Sequence, residues 1–277
     1  MPESAFSLPT ADGLHLAGRV WQPEAKATTV ICLVHGLGEH SGRYAALAEF
    51  FIARGCAVVA FDQRGFGRSP GPRGFTPAYE TMLDDMALLL QKAAEIYPKQ
   101  TLFLYGHSMG GNLVINFALS RRPSIAGVIA SAPWLELAFQ PPKIKMALAR
   151  AMDKIRPSLS QPSGLSPAHL SRDPEVVRAY LADPLVHDRI TPRLFLGCYQ
   201  AGIWAMQNAA SLSLPLLLLH GSGDRLTSFA ASHEFARRAG KNCTFLPWEG
   251  LYHELHNERE REQVLESIWQ WMLGRLE

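Results

Sequence analysis

The 277-residue chain has few cysteines, and their spacing matches no known ligand or disulfide pattern. No two of them form a CxxC pair, and three of the four lie in apolar or strand-like runs. This arrangement excludes a disulfide framework and a zinc motif, so we expect reduced, packed thiols in a reducing compartment. The cysteines are Cys32, Cys56, Cys198 and Cys243.

An excess of positive charge and a long apolar segment are also lacking. The 27 Lys and Arg residues are balanced by 25 Asp and Glu residues, and no nucleic-acid-binding motif occurs, so we expect no nucleic-acid partner. The most apolar run, LPLLLLH at 214–220, is far too short to span a bilayer. The first residues, MPESAFSLPTADG, contain neither the basic segment nor the apolar segment of a signal peptide. We therefore expect a soluble, cytoplasmic protein.

The pattern that is present is an alternation of strand-like and helical segments. Asp12-Gly13 between two short strand-like runs indicates an N-terminal hairpin. The later strands are continuous apolar runs, which are typical of strands buried on both faces. Alternation of this kind predicts β-α-β units wound into an open, mostly parallel sheet flanked by helices. The strand-like runs are 28–36, 56–62, 101–105, 125–133, 214–220 and 243–250, and the helical segments are 44–55, 79–98, 111–122, 229–240 and a last one from about 257.

The alternation breaks at Trp134 and resumes after residue 208. The segment between contains helical stretches and a Pro/Ser/Gly-rich loop, PSLSQPSGLSP, but no run typical of a buried strand. We therefore expect an α/β core built from residues 1–133 and 209–277, with residues 134–208 inserted as a mostly helical cap.

A candidate nucleophile, Ser108, lies in Gly106-His107-Ser108-Met109-Gly110, between the strand TLFLY and a helix. G-x-S-x-G in that context is the nucleophile elbow of α/β-hydrolases, in which the serine occupies a strained turn and the glycines avoid collisions with backbone. The helix that starts at the serine directs its N–H groups toward any oxyanion formed there. The alternative interpretation is a glycine-rich turn that arose by chance.

A serine hydroxyl needs a histidine base and an acid that orients the histidine, in the chain order Ser, acid, His. His253 follows the last strand in the loop PWEGLYHEL and is the candidate base, with His256 as its competitor. We interpret His220 as capping a strand and His233 as part of a helix face. Asp224 follows the penultimate strand and is the candidate acid, although an aspartate in Gly-Ser-Gly-Asp also suits a turn.

The oxyanion produced by such a nucleophile requires two N–H donors. Met109 directly follows the serine, and Leu37 lies in the loop His35-Gly36-Leu37-Gly38 after the first central strand. These are the positions from which α/β-hydrolases supply their donors. We interpret His35 as a packed residue that braces this loop.

The motifs together resemble monoacylglycerol lipases and the related bacterial lysophospholipase-like α/β-hydrolases. The resemblance spans most of the chain and rests, in the family's order, on HGLGEHSGRY (35–44), FDQRGFGRSPGPRG (61–74), GHSMGG (106–111), DPL (183–185), HGSGDRL (220–226) and YHELHNE (252–258). The combination of the first and third motifs is more specific than G-x-S-x-G, which many esterases share. The resemblance implies an α/β-hydrolase fold with a helical cap and no metal or organic cofactor.

The resemblance also implies roles for individual residues. Ser108, Asp224 and His253 match the catalytic triad, and Leu37 and Met109 match the oxyanion donors. The family often has a smaller residue at the Leu37 position, so the larger side chain narrows the expected site. Four further positions match polar residues near the glycerol end of the pocket, with a salt bridge or loop brace as the alternative for each: Glu39, Arg43, Tyr180 and His256.

The cap sequence is the part least like the family. In PPKIKMALARAMDKIRP, apolar residues at 144, 148, 152 and 155 form one helical stripe beside five basic residues and one acid. Such a helix suits contact with an anionic membrane surface, but the same stripe could instead cover the acyl pocket. The segment RLFLGCYQAGIWAMQ is apolar nearly all round, which predicts a helix that is buried or lines a tunnel.

From these features we expect a serine hydrolase that cleaves lipid carboxylic esters, with monoacylglycerol as the first candidate substrate. Lysophospholipase and broad carboxylesterase activities are the alternatives, ahead of an aminopeptidase or acyltransferase on the same fold. A non-catalytic binding protein on a hydrolase scaffold is the alternative from another class. Such proteins usually lose the nucleophile or the base, and this chain has candidates for both.

Overall fold

The computed structural model describes residues 3–276, so the outermost residues of the predicted core, 1–2 and 277, lie outside the described part. The strands are β1 Glu3–Pro9, β2 His15–Trp21, β3 Thr29–Val34, β4 Cys56–Phe61, β5 Thr101–His107, β6 Gly127–Ser131, β7 Gln161–Pro162, β8 Arg189–Ile190, β9 Leu216–Gly221 and β10 Cys243–Trp248. The α-helices are α1 Ala45–Ile52, α2 Tyr79–Ile96, α3 Met109–Arg121, α4 Lys143–Ile155, α5 Pro174–Ala182, α6 Pro192–Asn208, α7 Phe229–Ala239 and α8 Arg261–Leu273.

Eight of the strands form one sheet in the order β1-β2-β4-β3-β5-β6-β9-β10. All neighbours from β4 to β10 are parallel, whereas β1 and β2 pair with each other antiparallel and β2 pairs antiparallel with β4. The predicted mostly parallel sheet and N-terminal hairpin are therefore confirmed. The carboxyl ends of β3, β5, β9 and β10 lie along one edge, which brings the loops after them together.

Apolar cores lie on both faces of this sheet. Every residue of β3 and β4 is buried, as expected of strands that are covered on both sides. One core packs the sheet against α2, α3, α6 and α7, and the other packs it against α1 and α8. Helix α2 ends before Pro98, because a residue that precedes proline is forced out of the helical conformation.

The last helix begins later than the sequence pattern predicts. A 3₁₀ turn covers Leu255–Asn257, and α8 starts only at Arg261. The reason is Glu258, whose carboxylate accepts hydrogen bonds from the backbone N–H of Tyr252 at 2.8 Å and of Arg172 at 3.1 Å. These bonds hold the chain extended at Glu258 and postpone the helix.

The segment between β6 and β9 carries α4, α5 and α6 together with the two short strands β7 and β8, which pair antiparallel. This short ladder lies outside the sequence prediction, since two-residue strands leave no periodicity. Helix α6 packs on α3, and a Cβ on Gly202 would lie 2.1 Å from the carbonyl oxygen of Leu135. Among the described residues, 3–276, no helix combines the length and the apolar character needed to cross a membrane.

Candidate active site

Ser108 lies at the turn between β5 and α3. Its backbone has φ +55° and ψ −115°, a conformation that non-glycine residues rarely adopt and that stores strain. A Cβ on Gly106 would lie 2.2 Å from the carbonyl oxygen of Gly110, and one on Gly110 would lie 2.1 Å from that of Val34. Both positions therefore require glycine, and the tight turn presents Ser108 to a cavity at the edge of the sheet.

The three residues predicted to form a triad meet at this edge. Nε2 of His253 lies 2.9 Å from Oγ of Ser108, and Nδ1 of His253 lies 2.7 Å from Oδ2 of Asp224. The side chains of His253 and Asp224 are buried. Three separate loops, after β5, β9 and β10, supply the three residues, and they do so in the order that the sequence pattern predicts. A hydroxyl, an imidazole and a carboxylate in this line can activate the hydroxyl as a nucleophile.

Asp224 is surrounded by hydrogen-bond donors. Its Oδ1 accepts from the backbone N–H of Leu226 at 2.7 Å and of Thr227 at 3.1 Å. Its Oδ2 lies 2.9 Å from the Thr227 hydroxyl and 3.1 Å from Nε2 of His220, besides the contact with His253. Burial opposes ionisation, but the charge of His253 and the hydrogen bonds from both histidines hold the pKa of Asp224 well below its usual range.

Two opposing influences act on His253. Burial lowers the pKa of the imidazole, whereas the Asp224 carboxylate raises it through charge and a hydrogen bond, and the net direction is upward. The buried carboxylates of Glu254 and Glu39 act in the same direction as Asp224. The ring of His107 packs against that of His253, with centroids 4.7 Å apart. Burial together with the charge on its two neighbouring histidines lowers the pKa of His107 well below the usual value.

The two predicted oxyanion donors belong to backbone held in fixed positions. Met109 is the first residue of α3, so its N–H has no acceptor within the helix. In the described chain, residues 3–276, the N–H of Leu37 also has no acceptor. Nε2 of His35 accepts from the N–H of Gln63 at 2.8 Å, and Nδ1 lies 2.8 Å from the carbonyl of Gly36. His35 thus braces the loop from below, as interpreted from the sequence.

The cavity above Ser108 has a volume of about 540 Å³. Loops at the edge of the sheet and the segment between β6 and β9 both line it. The loops contribute Leu37, Glu39, Arg43, Ser108 and His253, and the segment contributes aliphatic, aromatic and polar side chains that include Leu165, Leu170, Tyr180, Leu181, Asp183, Val186 and His187. The lining thus combines ionic and polar side chains with aliphatic ones. Such a space suits a molecule with a small polar end and an apolar chain.

Glu39 and Arg43 line the cavity and are also paired with each other. Nη1 of Arg43 donates to Oε2 of Glu39 at 2.7 Å, and its two terminal nitrogens donate to the carboxylate of Glu254 at 2.7 and 2.8 Å. Burial opposes the charge on Arg43, but the two carboxylates raise its pKa, and the Arg43 charge in turn lowers the pKa of the buried Glu254. The Tyr180 ring lies over the guanidinium, 4.8 Å from its carbon.

Glu254 is a cavity residue that the sequence prediction omits. Its position directly after His253 is the available signal, since a residue next to a loop-borne base shares the same wall. Its bidentate bond to Arg43 ties the His253 loop to the loop after β3.

His256 lies elsewhere than its predicted position at the glycerol end. The residue is 1% exposed and does not line the cavity. The 3₁₀ turn directs its ring inward, where it stacks on Tyr44 with centroids 4.6 Å apart and meets His107 edge-on at 4.9 Å. Burial lowers the pKa of His256 to about 4. The structure therefore corrects the expected substrate contact to a packing contact behind the triad.

The stripe on α4 also lies away from the cavity. Ile144 is 84% exposed, and Leu148 and Ile155 are exposed as well. None of these three side chains lines the cavity. Of the two interpretations left open by the sequence, the structure disfavours a cover over the acyl pocket.

Within residues 3–276, the part of the chain that the structure describes, no cluster of three or more His, Cys, Asp or Glu side chains could hold a metal ion. The four cysteines are free thiols. Burial raises the pKa of Cys32 to about 12, so this thiol stays protonated and unreactive at neutral pH.

Comparison with known proteins identifies relatives along the whole chain. A family model described as "Serine aminopeptidase, S33" matches residues 25–260. The monoacylglycerol lipase of Mycolicibacterium smegmatis is 34% identical over 278 residues, which cover 99% of this chain and 98% of the relative. An abhydrolase domain-containing protein of Dictyostelium discoideum is also 34% identical, over 280 residues, but this chain spans only 30% of its length.

Among solved structures, the crystal structure of Paleococcus ferrophilus monoacylglycerol lipase is similar, with a TM-score of 0.86 and 35% identity over 94% of this chain and 99% of the other. The expected resemblance to monoacylglycerol lipases and the expected α/β-hydrolase fold are therefore confirmed. The chain is a serine hydrolase that belongs to the serine aminopeptidase S33 family of α/β-hydrolases.

Proposed function

We propose that this chain hydrolyses monoacylglycerols to glycerol and a fatty acid through an acyl-enzyme on Ser108. The observation that carries the proposal is the continuous line from Asp224 through His253 to Ser108, with contacts of 2.7 and 2.9 Å. It opens into a cavity whose lining combines ionic and aliphatic side chains. The names of the two monoacylglycerol lipases among its relatives support the substrate class.

The reaction proceeds in two acyl transfers. Nε2 of His253 accepts the hydroxyl proton while Oγ of Ser108 bonds to the ester carbonyl carbon, and the N–H groups of Leu37 and Met109 stabilise the oxyanion. The bond to glycerol breaks as His253 returns the proton to the departing oxygen. Water then attacks the acyl carbon and gives a proton to His253, which passes it to Oγ as the fatty acid leaves. Asp224 stays ionised and orients the imidazole throughout.

Three polar residues in the cavity lining support a glycerol leaving group. Glu39, Arg43 and Tyr180 present carboxylate, guanidinium and phenol groups that match vicinal hydroxyls. The aliphatic residues of the lining support an acyl chain, which gains from removal of its apolar surface from water. We propose that these three residues bind the glycerol end.

Substrate preference in the purified protein tests this proposal. We would measure product release from mono-oleoylglycerol, di-oleoylglycerol, lysophosphatidylcholine, a short p-nitrophenyl ester and an aminoacyl p-nitroanilide. We expect the monoacylglycerol to be turned over fastest, and Ser108→Ala to lower kcat by about 10⁴-fold or more with the fold retained. Ser213→Ala, which changes an exposed serine away from the cavity, is the matched control.

Any other result would change the substrate class or refute the nucleophile. Preference for lysophosphatidylcholine would replace the substrate with a lysophospholipid, and preference for the short ester would replace it with general carboxylic esters. Release from the anilide alone would favour a peptidase. A wild-type rate in Ser108→Ala would refute the nucleophile.

We also propose that residues 134–208 form a cap that brings the enzyme to an anionic membrane surface from the cytoplasm. The exposed apolar stripe of α4 is flanked by Lys143, Lys145, Arg150 and Lys154, which suits an interfacial helix. Co-sedimentation with phosphatidylglycerol vesicles should fall in Ile144→Ser/Leu148→Ser but not in Ile96→Ser, which changes an exposed apolar residue of α2. Equal binding by all three proteins would refute this proposal.

A further inference from the structure

His220 makes a contact that the proposed reaction does not use. The residue lies near the carboxyl end of β9, and its side chain is fully buried. Its Nε2 lies 3.1 Å from Oδ2 of Asp224, and its Nδ1 lies 2.7 Å from the Ser232 hydroxyl on α7. The ring does not line the cavity. The sequence interpretation, a histidine that caps a strand, therefore misses where the ring points.

The two partners determine which ring nitrogen carries the proton. An ionised carboxylate only accepts, so Nε2 of His220 must donate to Asp224. In the neutral ring Nδ1 is then an acceptor, and the Ser232 hydroxyl can donate to it. The carboxylate of Asp224 thus selects the tautomer, and the Ser232 hydroxyl, which can donate or accept, stabilises it. The pair His220–Ser232 links Asp224 to α7.

The contact matters because both histidines share one oxygen. Oδ2 of Asp224 receives Nδ1–H of His253 at 2.7 Å and Nε2–H of His220 at 3.1 Å. A donor from His220 draws electron density from the oxygen that supports the imidazolium, so the bond to His253 is weaker than it would be alone. The same donor adds to the bonds from Leu226 and Thr227 that hold the carboxylate, and so further restricts its rotation away from the base.

We propose that His220 is a positioning residue with two effects on Asp224. It holds the carboxylate in the orientation that His253 needs, and it limits how strongly the carboxylate stabilises the protonated imidazole of His253. This inference rests on the proposed function, since it assigns a role within the Ser108 reaction. A histidine that spans from the acid to a neighbouring helix acts through Asp224 and does not touch the ester.

The other charged groups around His253 come from separate elements and stay in place when His220 changes. His107 from β5 packs against the imidazole, and Glu254 and His256 follow it in the same loop. Glu39 acts from the loop after β3. The Thr227 hydroxyl lies 3.4 Å from Nε2 of His220 and 3.3 Å from Nδ1 of His253. A shift in the titration of His253 on substitution of His220 therefore reports on the Asp224 contact together with this hydroxyl.

The test uses His220→Leu, which removes the donor, and His220→Gln, whose amide can still donate to Asp224 and accept from Ser232. With less competition for Oδ2, the imidazolium of His253 becomes more stable. The acid limb of the kcat/KM profile should therefore move to higher pH in His220→Leu. We expect kcat at its plateau to fall by roughly 10- to 100-fold from misplacement of the base, with KM unchanged. His220→Gln should restore most of kcat and the wild-type limb.

Ser232→Ala is the second variant, for use if His220→Leu does not fold. It removes the hydroxyl that holds Nδ1 of His220 and so weakens the donor to Asp224, and we expect a smaller shift of the limb in the same direction. If His220 only braced the fold, both variants would have a lower melting temperature. In the variants that fold, the acid limb of kcat/KM and the value of kcat would then equal those of the wild type. That result would overturn the inference. Labelling of wild-type Ser108 by a fluorophosphonate separates the two proposals, because its absence would refute the proposed function itself.

Discussion

The core and the proposed cap each contribute a carboxylate that is paired with a core histidine near the cavity, and the two pairs differ in their surroundings. Asp224 meets His253 at 2.7 Å and Asp183 of the cap meets His40 of the core at 2.8 Å. The Asp224 side chain is fully buried, whereas 26% of the Asp183 side chain is exposed. Similar distances therefore accompany different energies, because water screens the second pair and not the first.

The backbone shows the same contrast. At Gly110 in the core, backbone atoms of a neighbouring strand fill the space that a side chain would need. At Gly164 in the cap, φ is +74° but no atom lies within 4 Å of the place that a Cβ would occupy. The two positions therefore differ in what restricts them: packing against a neighbouring strand restricts Gly110, and local backbone conformation alone restricts Gly164.

Replacement of each acid by asparagine should give the largest difference between the buried pair and the screened pair. Asp224→Asn should lower kcat by about 10⁴-fold, because an amide no longer stabilises the imidazolium or holds its tautomer. Asp183→Asn should change kcat by no more than about threefold, as for a screened pair. The measurement is ester hydrolysis at the pH optimum, with circular dichroism as the check on folding. Comparable losses in both variants would show that the cap pair takes part in chemistry.

Replacement of each glycine by alanine tests whether the backbone is packed more tightly around Gly110 than around Gly164. Gly110→Ala should lower the free energy of unfolding by about 3 kcal/mol or more, since rigid backbone must move. Gly164→Ala should lower it by about 1 kcal/mol, the strain of a left-handed residue alone. Denaturant titration of both proteins measures the difference. If the two variants were equally stable, the close approach of Gly110 to β3 would not constrain the elbow.

Much of the core could be predicted because its signals are local. A buried strand followed by Gly106, Ser108 and Gly110 requires one turn geometry, and the parallel order of strands then brings the loops of Asp224 and His253 to the same edge. The prediction needed no knowledge of distant contacts.

The missed features depend on where side chains point. The family resemblance places His256 at the glycerol end of the cavity, but a 3₁₀ turn directs its ring inward. The partners of His220 lie 4 and 12 residues away on other elements. The exposed face of α4 is ambiguous in the sequence, since an apolar stripe has the same spacing whether it meets a pocket or water.

Activity and folding stability depend on the protonation of His253 in opposite directions. His253 must be neutral to accept the Ser108 proton, and its folded pKa lies above the ordinary value of 6.5. Activity should thus rise with pH through that higher pKa, about tenfold per unit below it. The contribution of His253 to stability runs the other way: it is fully present below pH 6.5 and is lost as pH rises through the folded pKa.

The cap histidine His187 supplies the matched comparison. Burial lowers its pKa, so its contribution to stability is present above the unfolded pKa and is lost as pH falls through the folded one. Profiles of kcat/KM and melting temperature between pH 5 and pH 9, for the wild type and His187→Gln, measure both trends. His187→Gln should weaken the acid-side loss of stability and leave the activity limb in place. If the acid limb of the kcat/KM profile shifted in His187→Gln, the separation of activity from stability would be contradicted.

The smallest effect is expected at Tyr180, which lines the cavity beside Arg43. Tyr180→Phe keeps the ring over Arg43 and removes only the hydroxyl, so a neutral hydrogen bond of about 1 kcal/mol is lost. KM for a monoacylglycerol should therefore rise about fivefold, while kcat stays the same. KM for a p-nitrophenyl ester, which has no glycerol hydroxyls, should not change, and neither should either constant in Tyr97→Phe. A fall in kcat would instead place the cap hydroxyl within the chemistry of the core, and unchanged constants would remove Tyr180 from the glycerol site.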